Sequence, residues 1–317
     1  MDDDTLLAFV SGTWHSFAGV SVWALSVALA LHVVKMAAEA RSWHEIVNHV
    51  YRTVPVPFRT TFGAFVGAIG ANAILPARVG EALRVGIVRH GVEGSSVVTI
   101  AATIALETAL EILFGIAIVI TWLVGGGSVG GRGSLIHGMP GFVAQPLVWI
   151  VAGVAVPMVV AAAFHYRERM RRLASSFAEG FSIVRSPGTF ARRVVSWKVV
   201  AWVLRFATVV AFLVAFHIPA ALWTALVVVA AQTVAGALPL IPGNAGTQQA
   251  AIAIALAGTA STATLLGFGV GMQATTTVVD LAVGVAALTL VPRNAQGHRH
   301  MLWHARRLRG EPERLLA

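Results

Sequence analysis

The sequence predicts an all-α polytopic membrane protein, and three observations carry that reading. Of 317 residues, 57% are hydrophobic and 12% charged, about half the roughly 25% charged share of soluble domains. Apolar stretches of about 20 residues, enough to cross a ~30 Å hydrocarbon core as helix, recur along nearly the whole chain. The net charge of +9 sits in short segments between them, a pattern of membrane orientation rather than of nucleic-acid binding. No soluble domain of any size is left over. Without cysteine, thiolate metal sites, cysteine nucleophiles, disulfides and palmitoylation drop out.

Five full spans are expected, near residues 17–38, 97–123, 145–164, 194–216 and 262–291. Asp2, Asp3 and Asp4 stand where a signal peptide would be basic, so the first span is expected to remain. Residues 165–193 carry seven arginines and the tail, 293–317, six, which puts both in the cytoplasm. The loop 125–144 carries only Arg132, whereas 39–59 carries Arg41, Arg52 and Arg59. The first is therefore expected outside and the second inside, giving a cell-membrane protein with N-terminus out and C-terminus in.

Two apolar regions are broken in their middles. Residues 58–90 turn at Ile74-Leu75-Pro76-Ala77-Arg78-Val79-Gly80-Glu81, and residues 219–258 at Leu240-Ile241-Pro242-Gly243-Asn244-Ala245-Gly246-Thr247. Limbs of about 12 to 20 residues are short for full crossings, so re-entrant hairpins are the simpler reading. Each turn has two aliphatics, a Pro and a Gly four residues later, and each hairpin lies between full spans. This predicts an inverted repeat, with halves at 17–123 and 194–292 joined by 124–193, in a single membrane domain over 1–292. Interrupted segments in corresponding positions of two halves point to a transporter site at the midplane.

Ionisable residues at membrane depth cost about 2.5–3.5 kcal/mol each on insertion scales and mark function by default. Arg78, Glu81 and Arg84 lie in and after the first turn, Glu107 and Glu111 in the second span, Arg205 in the fourth and Asp280 in the fifth. Glu107 and Glu111 are four apart and share a helix face. Pro76 is placed to open a helix whose free amides and dipole, with Arg78 beside them, suit a phosphate. Mutual salt bridging is the alternative role, chiefly for Arg205 and Asp280. The second turn offers Asn244, Thr247, Gln248 and Gln249, which can hydrogen-bond a head group without neutralising it.

The run Asn72 to Arg84, N-A-I-L-P-A-R-V-G-E-A-L-R, together with Pro239 to Gln249, P-L-I-P-G-N-A-G-T-Q-Q, resembles the flippase-like transmembrane family typified by lysylphosphatidylglycerol synthase/flippase. The resemblance covers roughly 17–292. Its first motif resembles P-G-R-x-G-E-x-x-R, which carries over to Arg78, Gly80, Glu81 and Arg84, with Ala77 in place of the usual Gly. Glu107 matches the acid-rich helix that follows. Pro242, Gly243 and Gly246 match the second turn, and Gln249 stands where the family has an acid. The resemblance implies movement of an aminoacylated or other phosphate-bearing lipid between leaflets. It does not imply synthesis, since the chain to Ala317 leaves no room for the soluble catalytic domain of the synthases.

The expected function is thus lipid transport, with a phospholipid or polyprenyl-phosphate lipid as substrate and neither cofactor nor metal. The expected site comprises Arg78, Gly80, Glu81, Arg84, Glu107, Glu111, Arg205, Asn244, Gly246, Thr247, Gln249 and Asp280. One rival is a non-transporting scaffold for an envelope enzyme. Another is a polyprenyl diphosphate phosphatase, whose paired acids Glu107 and Glu111 resemble but whose P-G-x-S-R-S motif P-G-N-A-G-T lacks. A homodimer or an envelope enzyme is a possible partner. His44-Glu45-Ile46-Val47-Asn48-His49 is one residue too long for a zinc-protease motif, and His298, His300 and His304 read as part of a solvated basic face. Gly267, Gly269, Gly271 and the Gly63/Gly67 pair read as helix-packing positions. Between Arg167 and Val184, Met170, Leu173, Phe177, Phe181 and Val184 recur opposite Arg167, Arg171, Ser175 and Glu179, predicting an amphipathic helix on the inner leaflet. With Met301, Leu302, Trp303, Arg306 and Arg307 of the tail it should favour anionic inner-leaflet lipid.

Overall fold

In the computed structural model, the structure describes residues 19–52, 54, 56–75, 79–92, 94–124, 178–237 and 246–291. All regular elements among them are helices. Helix α1, Val22–Val50, opens at Ser21, whose hydroxyl accepts the Ala24 N–H at 3.5 Å. It outruns the expected first span, because residues 39–50 continue the helix where a loop was expected. The stretch Met36-Ala37-Ala38-Glu39-Ala40 is rich in strong helix formers. The i,i+4 pairs Lys35–Glu39 (3.6 Å) and Arg41–Glu45 (2.7 Å) carry the helix onward.

A first hairpin follows, α2 over Phe58–Ile74 and α3 over Val79–Gly91, then α4 over Val97–Val124. The next described stretch, from residue 178, leads into a short 3-10 turn, Ser182–Arg185. There Ile183 is buried while Val184 is 44% exposed, so the tighter turn rotates Val184 off the expected apolar face. Residues 167–177 of that expected amphipathic helix, the expected span 145–164 and the tail lie outside the described residues. Helix α5, Pro187–Ala215, contains a π-helical turn at Ala191–Val195. A second hairpin has limbs α6, Leu222–Ala237, and α7, Thr247–Ala255. Helix α8, Thr262–Thr289, is capped by Ser261, whose hydroxyl accepts the Thr264 N–H at 3.1 Å.

Four described helices are long and apolar enough to cross a membrane: α1, α4 over Val97–Trp122, α5 and α8. Ile112, Leu113, Ile116 and Ile120 of α4, Val203 of α5 and Val278 and Val285 of α8 stay exposed on the outside. That surface suits hydrocarbon, so the chain is a multi-pass, all-α membrane protein.

Helices α1 and α5 pack side by side and antiparallel. At one end the Ser21 N–H donates to the Ala215 carbonyl at 3.0 Å. At the other the Ser42 hydroxyl donates to the Val194 carbonyl at 3.1 Å. Around this pair the contacts follow one scheme twice: α2 lies on α3 and α8, and α6 lies on α7 and α4.

Helix α8 measures how far each hairpin reaches. A methyl group added at Gly63 would meet Val291 and the Ala287 carbonyl, and one at Gly70 would meet the Asp280 carbonyl and Gly284. So α2 runs antiparallel to α8 from its C-terminal end toward its middle, packed through small residues as the glycine spacing predicts. Gln249 near the tip of the second hairpin lies against Gly269, and α7 joins α8 at the latter's N-terminal end. The two hairpins thus lie along opposite halves of α8, with their tips converging near its centre. Helix α3, at 13 residues, rises only about 20 Å.

Candidate functional site

Four long helices bring polar stripes to the level where the tips meet. On α1 the stripe is His32, Lys35, Glu39; on α4, Glu107 and Glu111; on α5, Lys198, Trp202, Arg205; on α8, Gln273, Thr276, Asp280. Spacings of three and four keep each stripe on one helix face, and packing turns those faces inward.

The charges form a chain of pairs. Arg84 reaches Glu81 at 3.1 Å and Glu107 at 3.6 Å. Lys198 holds Glu107 and Glu111, each at 2.7 Å, and Glu111 also holds Arg205 at 3.0 Å. Lys198 is 1% exposed, Arg84 4% and Glu107 7%. At such depth a lone charge would be very costly, and its partners make it tolerable. The chain crosses between halves, because Lys198 and Arg205 belong to α5 and both acids to α4.

Arg84 has a second set of partners. Its guanidinium carbon lies 4.2 Å from the Trp43 ring centroid and 4.5 Å from that of Phe65. Its Nε and Nη2 have no hydrogen-bond partner among the described residues, and the two π-faces are what stabilise that part of the cation. Trp43 is held in turn by its indole N–H, which donates to Thr103 Oγ1 at 3.2 Å.

Beside the chain lies a cavity of about 300 Å³. Its lining holds the cations Lys35 and Arg205, the imidazole of His32, and the neutral polar side chains of Gln232, Gln248, Thr208 and Thr276. Lys35, Arg205 and His32 are each backed by a carboxylate: Lys35 by Glu39, Arg205 by Glu111, and His32 by Asp280, whose Oδ1 is 2.8 Å from the His32 Nε2. The walls come from α1, α5, α6, α7 and α8, so both halves contribute. Two cations together with amides and hydroxyls form a setting for an anion with a hydrogen-bonding appendage.

Of the residues expected at a site, Glu81, Arg84, Glu107, Glu111 and Arg205 are joined in the ion chain, and Arg205 alone of these also lines the cavity. Asp280 stands apart with His32. Gly80 is a packing residue, since a methyl group there would sit 2.2 Å from the Ala68 carbonyl oxygen. Gly246 lies in the second turn and Thr247 opens α7; Gln249 accepts the Gly246 N–H at 2.7 Å and donates to Gln273. Arg78 and Asn244 lie outside the described residues.

Sequence reasoning missed Lys198, Lys35, Glu39 and His32. The signal was the i, i+4, i+7 run Lys198, Trp202, Arg205 and the i, i+3, i+7 run His32, Lys35, Glu39. Both lie close to ends of the expected spans, where a lysine is normally read as snorkelling to the interface. His44, from the rejected zinc motif, lies buried between Thr61 Oγ1 and Asn48 Nδ2, each at 2.8 Å.

No curated protein and no solved structure matches this chain. A family model described as the lysylphosphatidylglycerol synthase TM region matches residues 5–284. With the match covering most of the chain, and the hairpin residues that carry the resemblance inside it, the protein belongs to the lysylphosphatidylglycerol synthase transmembrane family.

Proposed function

We propose that this protein is a transporter, not an enzyme, and that it moves a phosphate-bearing lipid between membrane leaflets. The observation that carries the reading is the cavity enclosed by α1, α5, α8 and both limbs of the second hairpin, with Lys35 and Arg205 on its wall. A phosphate is neutralised there while its acyl chains remain in lipid. The antiparallel α1–α5 pair and the hairpins lying along opposite halves of α8 support an inverted repeat, the architecture in which two halves rock around a fixed midplane site. On this reading both hairpins are re-entrant, the first from the cytoplasm and the second from outside. A polyprenyl phosphate has the same phosphate chemistry as a phospholipid and remains a candidate cargo.

A second depression, of about 350 Å³, lies at the C-terminal end of α1 and is lined by His49, Arg52 and Arg193 among others. With the basic segments beside it, it supports contact with anionic inner-leaflet lipid.

The test is leaflet exchange in proteoliposomes, with acyl-labelled phospholipids and a polyprenyl phosphate assayed in parallel. Wild type should exchange one lipid class, and Arg205→Gln and Lys35→Gln should each slow it at least about tenfold, the scale of one lost charge-assisted contact. Folded protein that exchanges no lipid would reject transport and favour the scaffold reading.

A further inference from the structure

Resting on that reading of the cavity, we propose that its substrate is a lipid anion whose head group beyond the phosphate is uncharged and hydroxyl-bearing, and that it selects against an aminoacylated, cationic head. The charge on the wall points this way. The described lining contains Lys35, Arg205 and His32 and no carboxylate.

The nearest carboxylates are already occupied. Glu111 is shared by Lys198 and Arg205, Glu39 faces Lys35, and Asp280 faces His32. An ammonium group entering the cavity would have to displace a resident cation from its acid, and would meet at least two like charges before doing so. Gln249, where an acid would receive such a head, instead spends its amide on the Gly246 N–H and Gln273. The neutral wall, in contrast, fits a polyol. The amides of Gln232 and Gln248 offer donors and acceptors, and the hydroxyls of Thr208 and Thr276, which donate to the Leu204 and Met272 carbonyls, offer acceptors. One site therefore combines neutralisation of a phosphate with hydrogen bonding to hydroxyls, and its described lining provides no carboxylate for an amine. Rejection of the cation is built from repulsion as much as from missing attraction.

The test separates binding from transport. Purified full-length protein in detergent is titrated with phosphatidylglycerol and with lysyl-phosphatidylglycerol, and the same two lipids, labelled on an acyl chain, are assayed for leaflet exchange. Phosphatidylglycerol should bind at least about tenfold more tightly, and Arg205→Gln should shrink that gap by weakening the anion more than the cationic lipid. Gln248→Glu, which adds a carboxylate to the wall, should shift the preference about tenfold toward the lysyl lipid. Equal or tighter binding of lysyl-phosphatidylglycerol by wild type overturns the inference whatever the exchange assay gives. A binding preference as stated without exchange of either lipid sustains the inference and rejects transport. A Gln248→Glu protein that folds and binds phosphatidylglycerol but leaves the ratio unchanged also overturns it.

Discussion

The two hairpins solve one local problem in opposite directions. Each second limb starts at a glycine whose N–H has no helical partner, and in each an amide side chain accepts that proton at 2.7 Å. For Gly80 the acceptor is Asn72, eight residues back on the first limb, so the bond ties the limbs together. For Gly246 it is Gln249, three residues ahead on the same limb, so this bond leaves the limbs untied. The surroundings follow suit. Gly80 is wedged against the Ala68 carbonyl, whereas a methyl group at Gly246 would have nothing within 4 Å among the described residues. The first hairpin is also anchored by ions through Arg84, the second by the amides of Gln249 and Gln273. One packing scheme thus supports a stiff arm and a looser one, and the looser arm contributes Gln232 and Gln248 to the cavity.

Breaking the ionic anchor should have the largest effect. Lys198→Met strips Glu107 and Glu111 of their shared 2.7 Å partner and should cost about 3–5 kcal/mol, the scale for orphaning a buried charge. A large fall in the detergent melting temperature would show it, and adding Glu107→Gln to the same chain should recover part of the loss, in a double-mutant cycle.

The glycines should separate next. Gly80→Ala forces a methyl group into a backbone oxygen and should cost about 2–3 kcal/mol. Gly246→Ala meets only the strain of its φ of +87° and should cost about 1 kcal/mol. Thermal unfolding of the pair checks the order; a larger loss at Gly246 would refute the stiff-and-loose distinction.

The caps should overlap the glycines in range, with Gln249→Ala the smallest effect. Asn72→Ala leaves the buried Gly80 N–H unsatisfied, about 1–3 kcal/mol, while Gln249→Ala frees a donor in an exposed turn, about 1 kcal/mol or less. Hydrogen exchange should accelerate across both limbs of the first hairpin in Asn72→Ala, and only around residues 246–250 in Gln249→Ala.

Helices α4 and α8 were legible because unbroken apolar length sets a membrane span, and the hairpins because Pro and Gly interrupt such length at matched places. The pairs Glu107/Glu111 and Glu81/Arg84 were legible because a helix puts positions three or four apart together. What a single sequence cannot give is which face of one helix meets which face of another. Lys198 binds acids 91 and 87 positions away, and His32 meets Asp280 across 248. The continuation of α1 past residue 38 was hidden by its charges, which look like a loop until their i,i+4 pairing is counted. The close approach of Gly80 to Ala68 was hidden because it depends on the opposite limb.

The charge chain has one further consequence. Arg84, Lys198, Arg205 and Lys35 are matched by Glu81, Glu107, Glu111 and Glu39, so a rearrangement that keeps these partners together carries no net charge through the membrane field. Those four pairs are then electrically silent. Under the proposed function, a singly negative lipid moving outward is favoured by about 2.3 kcal/mol per 100 mV of inside-negative potential. The direction of net lipid movement would be set by the cell's membrane potential rather than by the protein.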